Sequence, residues 1–415
     1  MSEIRKSVLS NGIKIITETL PESKSFSLGF WFEVGSRFEN SKNNGITHFI
    51  EHMFFKGTKN RSAKRIVTEI ESCGGYLNAF TSKEHTCYYS RGLAEHFNTS
   101  FEVLSDMIQN SLFRQSDIEK EAGVIIDELR DLEDNPEELI FDRFEELVFG
   151  GTSLGFSVIG TENNIRKFKH SDFINYIYQK YAYDKMLIVT SGGVKHEEVL
   201  KHAEKYFNKS LKKSHHTHKN FNNHFPKPTT KSINKEIQQV HTILGTRSYG
   251  FKNKKRIHVA LLSQILGEGS SSRLFQSLRE RNGITYQIHS FLNSYLDVSV
   301  FGIYFSTNER MINKALKLVE HELLKIRSIK VSGKELDKAK ESLKGQIILS
   351  MENTSNRMIR IAQSELYFNK VKTINDIIKE IDLVTSSDVS NAANEFLNPK
   401  MLFRLYIKPT TLELN

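Results

Sequence analysis

The chain has 415 residues, 38% hydrophobic and 26% charged, with two cysteines and a formal net charge of +9. That length exceeds one ordinary domain, so two are expected. No run of about 18 apolar residues exists, Met1 to Ser10 lacks the apolar core of a signal peptide, and Cys73 and Cys87 form no disulfide framework; no membrane span or leader is expected, and a reducing cytoplasmic setting is.

The first half opens with a hairpin: Val8-Leu9, a tight turn at Asn11-Gly12, then Ile13 to Thr17 in alternation. A strand follows at Phe26 to Val34. Ile46, Phe49, Ile50 and Met53 then recur at helical spacing and predict a largely buried helix. A helix over Ser62 to Ser72 leads through Gly74-Gly75 into strands at Tyr76 to Ser82 and Thr86 to Arg91. Helices dominate from 94 to about 148, one opened by the capping box Ser116-x-x-Glu119. A strand at Lys185 to Thr190 and a helix near 196–208 close the half.

The buried helix carries His48-Phe49-Ile50-Glu51-His52. Two histidines four apart share a helical face and can hold one metal ion, with Glu51 beside them. This H-x-x-E-H order suits a zinc hydrolase: zinc takes two imidazoles and a third protein ligand, keeps a position for water, and leaves a free glutamate to accept a proton. Composition alone predicts roughly 0.06 such matches per chain. Third-ligand candidates lie on the Ser116 helix, where Glu121 and Glu128 are two turns apart on one face, and Asp127 and Glu119 point elsewhere.

From Lys205 to Lys235 there are eight lysines and no acid. With Pro226, Pro228 and many polar residues, 209–235 reads as a basic linker that accounts for most of the excess charge. It carries His215, His216, His218 and His224 on no evident scaffold, so a second metal site is not expected there. No aromatic or glycine pattern accompanies the lysines, so nucleic acid is not the expected partner. Cys87 sits in a strand and, like Cys73, reads as structural.

The second half repeats the first. A strand at Ile237 to Leu244 precedes a helix near 256–266 and helical residues from Ser271 to Arg281. Gly283 then introduces strands as Gly75 does, and Ser332-x-x-Glu335 repeats the capping box 216 residues on. The repeat is chemically asymmetric: it has no H-x-x-E-H, and Lys344 stands at the position matching Glu128. The expected fold is α+β, two related domains each with an antiparallel sheet and helices packed on it: 1–208 metal-binding, 236–415 metal-free.

Over nearly its whole length the chain resembles the pitrilysin, insulin-degrading enzyme and mitochondrial processing peptidase group. There, H-x-x-E-H is followed by a glutamate 76 residues after the second histidine, which is Glu128 here, and by another seven residues before that ligand, matching Glu121. The resemblance implies one zinc per chain on His48, His52 and Glu128, Glu51 as general base, and Glu121 orienting a ligand. Gly74 to Thr81 looks like the family's G-G-x-x-N-A-x-T strand, implying that Asn78, Ala79, Phe80 and Thr81 bind extended peptide by main-chain pairing. Leu266 to Gly269 and Ser272-Arg273-Leu274-Phe275 resemble the family's glycine-rich stretch and S-R-L-F, with Glu268 where glycine is common. Arg279 and Tyr286 resemble its arginine–tyrosine pair, implying a hold on the substrate backbone and a hydrogen bond to the tetrahedral oxyanion.

The reading is therefore a zinc endopeptidase that cleaves extended peptides in a chamber. Long members of that family fuse four such domains, so this chain would be half of a clamshell. It would pair as a homodimer or with a metal-less paralogue, as in a presequence-processing subunit. A non-catalytic scaffold of the same fold is the rival, against which the full ligand set argues.

Overall fold

In the computed structural model, residues 3–208 and 224–410 are described. One compact unit gathers 1–130, 156–223 and 350–371; the other gathers 131–155, 224–349 and 372–415. The three histidines at 215, 216 and 218, and most of the expected linker, lie outside the described residues.

The first unit is built on six strands: β1 Glu3–Val8, β2 Lys14–Thr19, β3 Ser25–Phe32, β4 Tyr76–Thr81, β5 Thr86–Leu93 and β6 Met186–Gly192, in the order β1-β2-β6-β3-β5-β4. The opening hairpin forms as expected, with Val8 opposite Lys14 and Gly12 at φ 96°, a value that favours glycine. The second unit has β7 Thr230–Lys235, β8 Val240–Tyr249, β9 Ile288–Ser294, β10 Val298–Thr307 and β11 Phe403–Pro409, ordered β7-β11-β8-β10-β9. Leaving out β1, the two orders coincide, so the repeat extends to topology. All pairs are antiparallel except β2 with β6 and β7 with β11, so each sheet is mixed rather than purely antiparallel. The odd strand in each arrives after a long helical excursion, which frees it from hairpin geometry. Thr230–Lys235, expected to be linker, is the strand β7: its alternating polar pattern suits an exposed edge.

Five helices of the first half are used below: α1 Ile46–Phe54, α2 Ala63–Glu71, α3 Phe97–Asn110, α4 Gln115–Asp134 and α5 Pro136–Phe149. Helix α4 starts one residue before Ser116, which therefore does not cap it. Ser332 does act as expected, its hydroxyl accepting the Glu335 N–H at 3.2 Å, while the Glu335 carboxylate goes to Arg273.

The sheets are buried on both faces, which the near-continuous apolar runs in β3 and β6 require. On one face of the first sheet, α1, α2 and α3 contribute to a core that includes Phe30, Phe49, Ile66 and Phe101. The other face is covered by the helix Thr354–Phe368, drawn from late in the chain, which lays Met358, Ile361 and Ala362 against Trp31, Cys87, Leu187 and Val189. Close approach depends on Gly29, where a Cβ would sit 2.8 Å from the Met358 sulfur. The second unit reciprocates with α5. Asn135 caps α5 by accepting the Glu137 and Glu138 N–H groups, Pro136 pre-sets its first turn, and Leu139, Phe144 and Val148 pack on Ile243, Val300 and Leu405. Each sheet is thus closed by a helix from the other half of the sequence. No described helix is long and apolar enough to cross a membrane.

Met358 is fully buried against the Trp31 face. Met358→Ala is expected to lower unfolding free energy by about 2–5 kcal/mol, read as a shift of the urea midpoint at unchanged slope. A shift worth under about 1 kcal/mol would mean that this helix is not tightly packed on the sheet.

Candidate metal centre

Helix α1 runs through the core of the first unit, with Ile46, Phe49, Ile50, Met53 and Phe54 buried. Its first N–H groups have no partner within the helix and no water to turn to. Glu39 supplies the acceptor: its carboxylate takes the Gly45 N–H at 2.8 Å, the Thr47 N–H at 2.9 Å and the Asn44 side-chain amide at 2.9 Å. Burial pushes the Glu39 pKa up, and these hydrogen bonds oppose the shift. Gly45, at φ 98°, packs so close to the chain at Ile159 that a Cβ would lie 2.6 Å from its carbonyl oxygen.

With α1 fixed in rotation, His48 and His52 emerge on its less buried side, ring centroids 4.6 Å apart. Glu128 of α4 faces both: Oε2 lies 3.9 Å from His48 Nε2 and 3.5 Å from His52 Nε2. One donor atom from each of the three residues falls within 4.8 Å of the others, and no other such group exists among the described residues. Two imidazoles and one carboxylate are the donor set of a catalytic zinc site, so these residues fit that ion.

The two rings differ electrostatically. His48 is pushed down to about 3 by burial and by His52, and its Nδ1 is buried without a hydrogen-bond partner among the described residues. It is neutral and ready to donate a lone pair. Burial also works against charge on His52, but the hydrogen bond to Glu121 and the charges of Glu128, Glu121 and Glu51 hold its pKa above the usual value. His52 Nδ1 meets Glu121 Oε1 at 2.9 Å, which turns Nε2 toward Glu128. The Glu121 carboxylate is 6% exposed; burial raises its pKa, yet His52 and Lys56 hold it below the ordinary range, Lys56 Nζ lying 2.6 Å from Oε2.

Glu51 shares the site. Burial raises its pKa, the Thr81 hydrogen bond and His52 offset part of the rise, and Glu128 adds to it. The Thr81 hydroxyl donates to Glu51 Oε2, so the last residue of β4 touches the residue expected to be the base. β4 is the edge of its sheet. Asn78 is tied locally, its amide donating to the Tyr76 hydroxyl at 2.6 Å and its oxygen accepting the Ala79 N–H. Phe80 turns to the opposite face and packs edge-on against Trp31, while Ala79 packs against the main core.

The first unit therefore brings together His48, Glu51, His52, Thr81, Glu121 and Glu128. Arg279 and Tyr286 belong to the second unit, where they neighbour each other: Arg279 donates to the Tyr286 carbonyl at 3.3 Å and lies over the Phe275 ring, and the Tyr286 side chain is 83% exposed. Sequence reasoning missed Glu39 and Lys56. The available signal for Lys56 was a cation four residues after His52; for Glu39 it was an acid shortly before a glycine-led helix.

Comparison with known proteins agrees in extent and fold. Residues 14–162 match the family model described as Insulinase (Peptidase family M16), and 167–343 match Peptidase M16 inactive domain. A Bacillus subtilis protein named "Uncharacterized zinc protease YmxG" is 34% identical over 94% of this chain and 95% of its own length. A Streptomyces coelicolor protein, also named an uncharacterized zinc protease, is 33% identical over 95% of this chain and 87% of its own. The crystal structure of a protease from Helicobacter pylori superposes with a TM-score of 0.91 at 23% identity, covering 98% of this chain and all of that one.

A metal must displace any proton on His52 Nε2. Because His52 is held above its usual pKa, zinc uptake by metal-free protein is expected to release a proton near neutral pH, and affinity should fall as pH drops through that raised value. Calorimetric titration in two buffers of different ionisation enthalpy checks this; identical heats would mean that no proton is displaced.

Proposed function

The chain belongs to peptidase family M16, the insulinase family, and from that premise we propose that it is a zinc-dependent endopeptidase acting on extended peptides or unstructured segments. The observation that carries the reading is the convergence of His48, His52 and Glu128 beside Glu51 at the end of an edge strand. His48, His52 and Glu128 would hold one zinc per chain. When bound, zinc supplies Lewis-acid polarisation of a carbonyl and lowers the pKa of a water toward about 7.

Glu51 takes a proton from the attacking water on a carboxylate oxygen and returns it to the leaving amine nitrogen. Its buried setting suits a group that must accept and then release a proton, and Thr81 keeps one oxygen oriented. Peptide pairs with the free edge of β4 over Asn78 to Thr81 through main-chain hydrogen bonds, leaving sequence preference to alternate side chains. Glu121 holds His52 in the tautomer that presents Nε2. Tyr286 donates to the oxygen that gains charge, and Arg279 holds substrate backbone.

The family's doubled architecture supports assembly of two chains into a chamber, as a homodimer or with a metal-less paralogue. In that assembly Arg279 and Tyr286 of one chain serve the metal centre of the other.

Glu51→Gln is expected to retain zinc and lose about 10²–10⁴-fold or more in hydrolysis of a quenched, unstructured peptide; near-normal turnover of metal-replete variant rules out Glu51 as the base. Mixing Glu51→Gln chains with Arg279→Ala chains should restore part of the activity through the one intact composite site. No recovery in demonstrated mixed dimers would remove the shared-site arrangement.

A further inference from the structure

The described contacts leave one charged side chain at the metal centre without a role. Lys56 follows the end of α1, where its N–H closes the last turn on the Met53 carbonyl at 3.1 Å, and Gly57 at φ 111° turns the chain away. Its ammonium reaches back to Glu121 Oε2 at 2.6 Å, while Oε1 of the same carboxylate meets His52 Nδ1 at 2.9 Å. Glu121 is thereby gripped from both sides, and neither oxygen can rotate without losing a charge-assisted contact.

We infer that Lys56 is a positioning residue of the metal centre, acting through Glu121 to fix the orientation and tautomer of His52; this rests on the metal-site reading above. Two physical effects follow from its place. The first is geometric: a carboxylate pinned by an ammonium holds the imidazole N–H in one direction, so Nε2 points toward Glu128 before any ion arrives. The second is charge balance: a divalent ion together with Lys56 offsets the three carboxylates Glu51, Glu121 and Glu128. Without Lys56, Glu121 would be a nearly buried carboxylate short of its cationic partner, and the cost of that burial favours movement of the side chain away from the site. That movement frees the His52 ring.

The sign of one measurement separates this role from simple electrostatics. An ammonium repels a divalent cation, so a charge-only Lys56 would weaken metal binding and its removal would tighten it. A positioning Lys56 does the reverse.

The experiment measures zinc dissociation constants of the metal-stripped full chain by competition with a chromophoric chelator, a readout independent of peptide cleavage. Lys56→Met is expected to weaken zinc binding about tenfold or more, Lys56→Arg to retain most of the affinity, and Lys56→Met to add nothing in a Glu121→Gln background. Unchanged or tighter binding in Lys56→Met, or a full further loss in the double variant, overturns the proposal. If Lys56→Met does not fold, Glu121→Gln against Lys56→Met/Glu121→Gln carries the comparison, since neither buries an unpaired carboxylate there; equal affinities are expected, and a further loss overturns it. A wild-type chain that binds no zinc removes the metal-site reading along with this role. Zinc binding that is equal in wild type and Lys56→Met removes only the role of Lys56.

Discussion

The site depends on one buried carboxylate that never touches it. Helix α1 must lie inside the core to place its histidines, and a helix start inside a core leaves N–H groups that nothing solvates. Glu39 meets that demand with contacts to Gly45, Thr47 and Asn44. A carboxylate at a helix N-terminus also faces the positive end of the helix dipole, which favours its ionised form against the cost of burial. The same short loop carries Arg37, whose guanidinium pairs with Glu84 in the turn between β4 and β5, and Tyr367 donates to the other Glu84 oxygen at 2.9 Å. Glu84 follows Thr81 by three residues. The loop that sets the rotation of α1 therefore also anchors the strand whose end touches Glu51, and the two histidines and Glu51 are held to a common frame.

Within that frame the electrostatics divide the labour. Two adjacent imidazoles cannot both carry charge at low cost, and the structure resolves this by burying His48 beside His52 while surrounding His52 with carboxylates. One ring is a ready donor; the other is oriented at the expense of holding a proton more tightly. Glu51 sits between these tendencies, raised by burial but restrained by Thr81 and His52.

Much of this was legible in the residues. The 46, 49, 50, 53 spacing located α1, because one apolar stripe decides where a helix lies. Glu121 and Glu128 stood out by sharing a face, and the paired glycines at 74 and 75 pointed to the strands from Tyr76 to Arg91. What stayed hidden was non-local. Ser116 has the letters of a cap, but α4 begins before it; Ser332, in the same pattern, caps. The strand Thr230–Lys235 reads as linker because its partner β11 lies some 170 residues on and supplies the reason for it to be extended. Lys56 becomes notable only when Glu121, far along the chain, is seen against it. The exchange of α5 and Thr354–Phe368 between sheets leaves no mark in periodicity, since each helix presents an apolar face whichever sheet receives it.

That exchange constrains how the protein is made. Trp31 and its neighbours on β6 leave the ribosome before the helix that covers them, which is made only after all six strands of that sheet. Until then, one face of the first sheet is an open apolar surface, and a chain halted after the first half would remain in that state. The contacts joining Trp31 to Met358 span more than three hundred residues, and closing the first unit thus depends on long-range contacts, the kind whose loop-closure cost slows folding. The second unit does not wait on its exchanged helix, because α5 is made before any strand of its sheet. Both units nonetheless wait on segments far along the chain: the first on Thr354–Phe368 to cover its sheet, the second on β11, which joins β7 to β8 within its own.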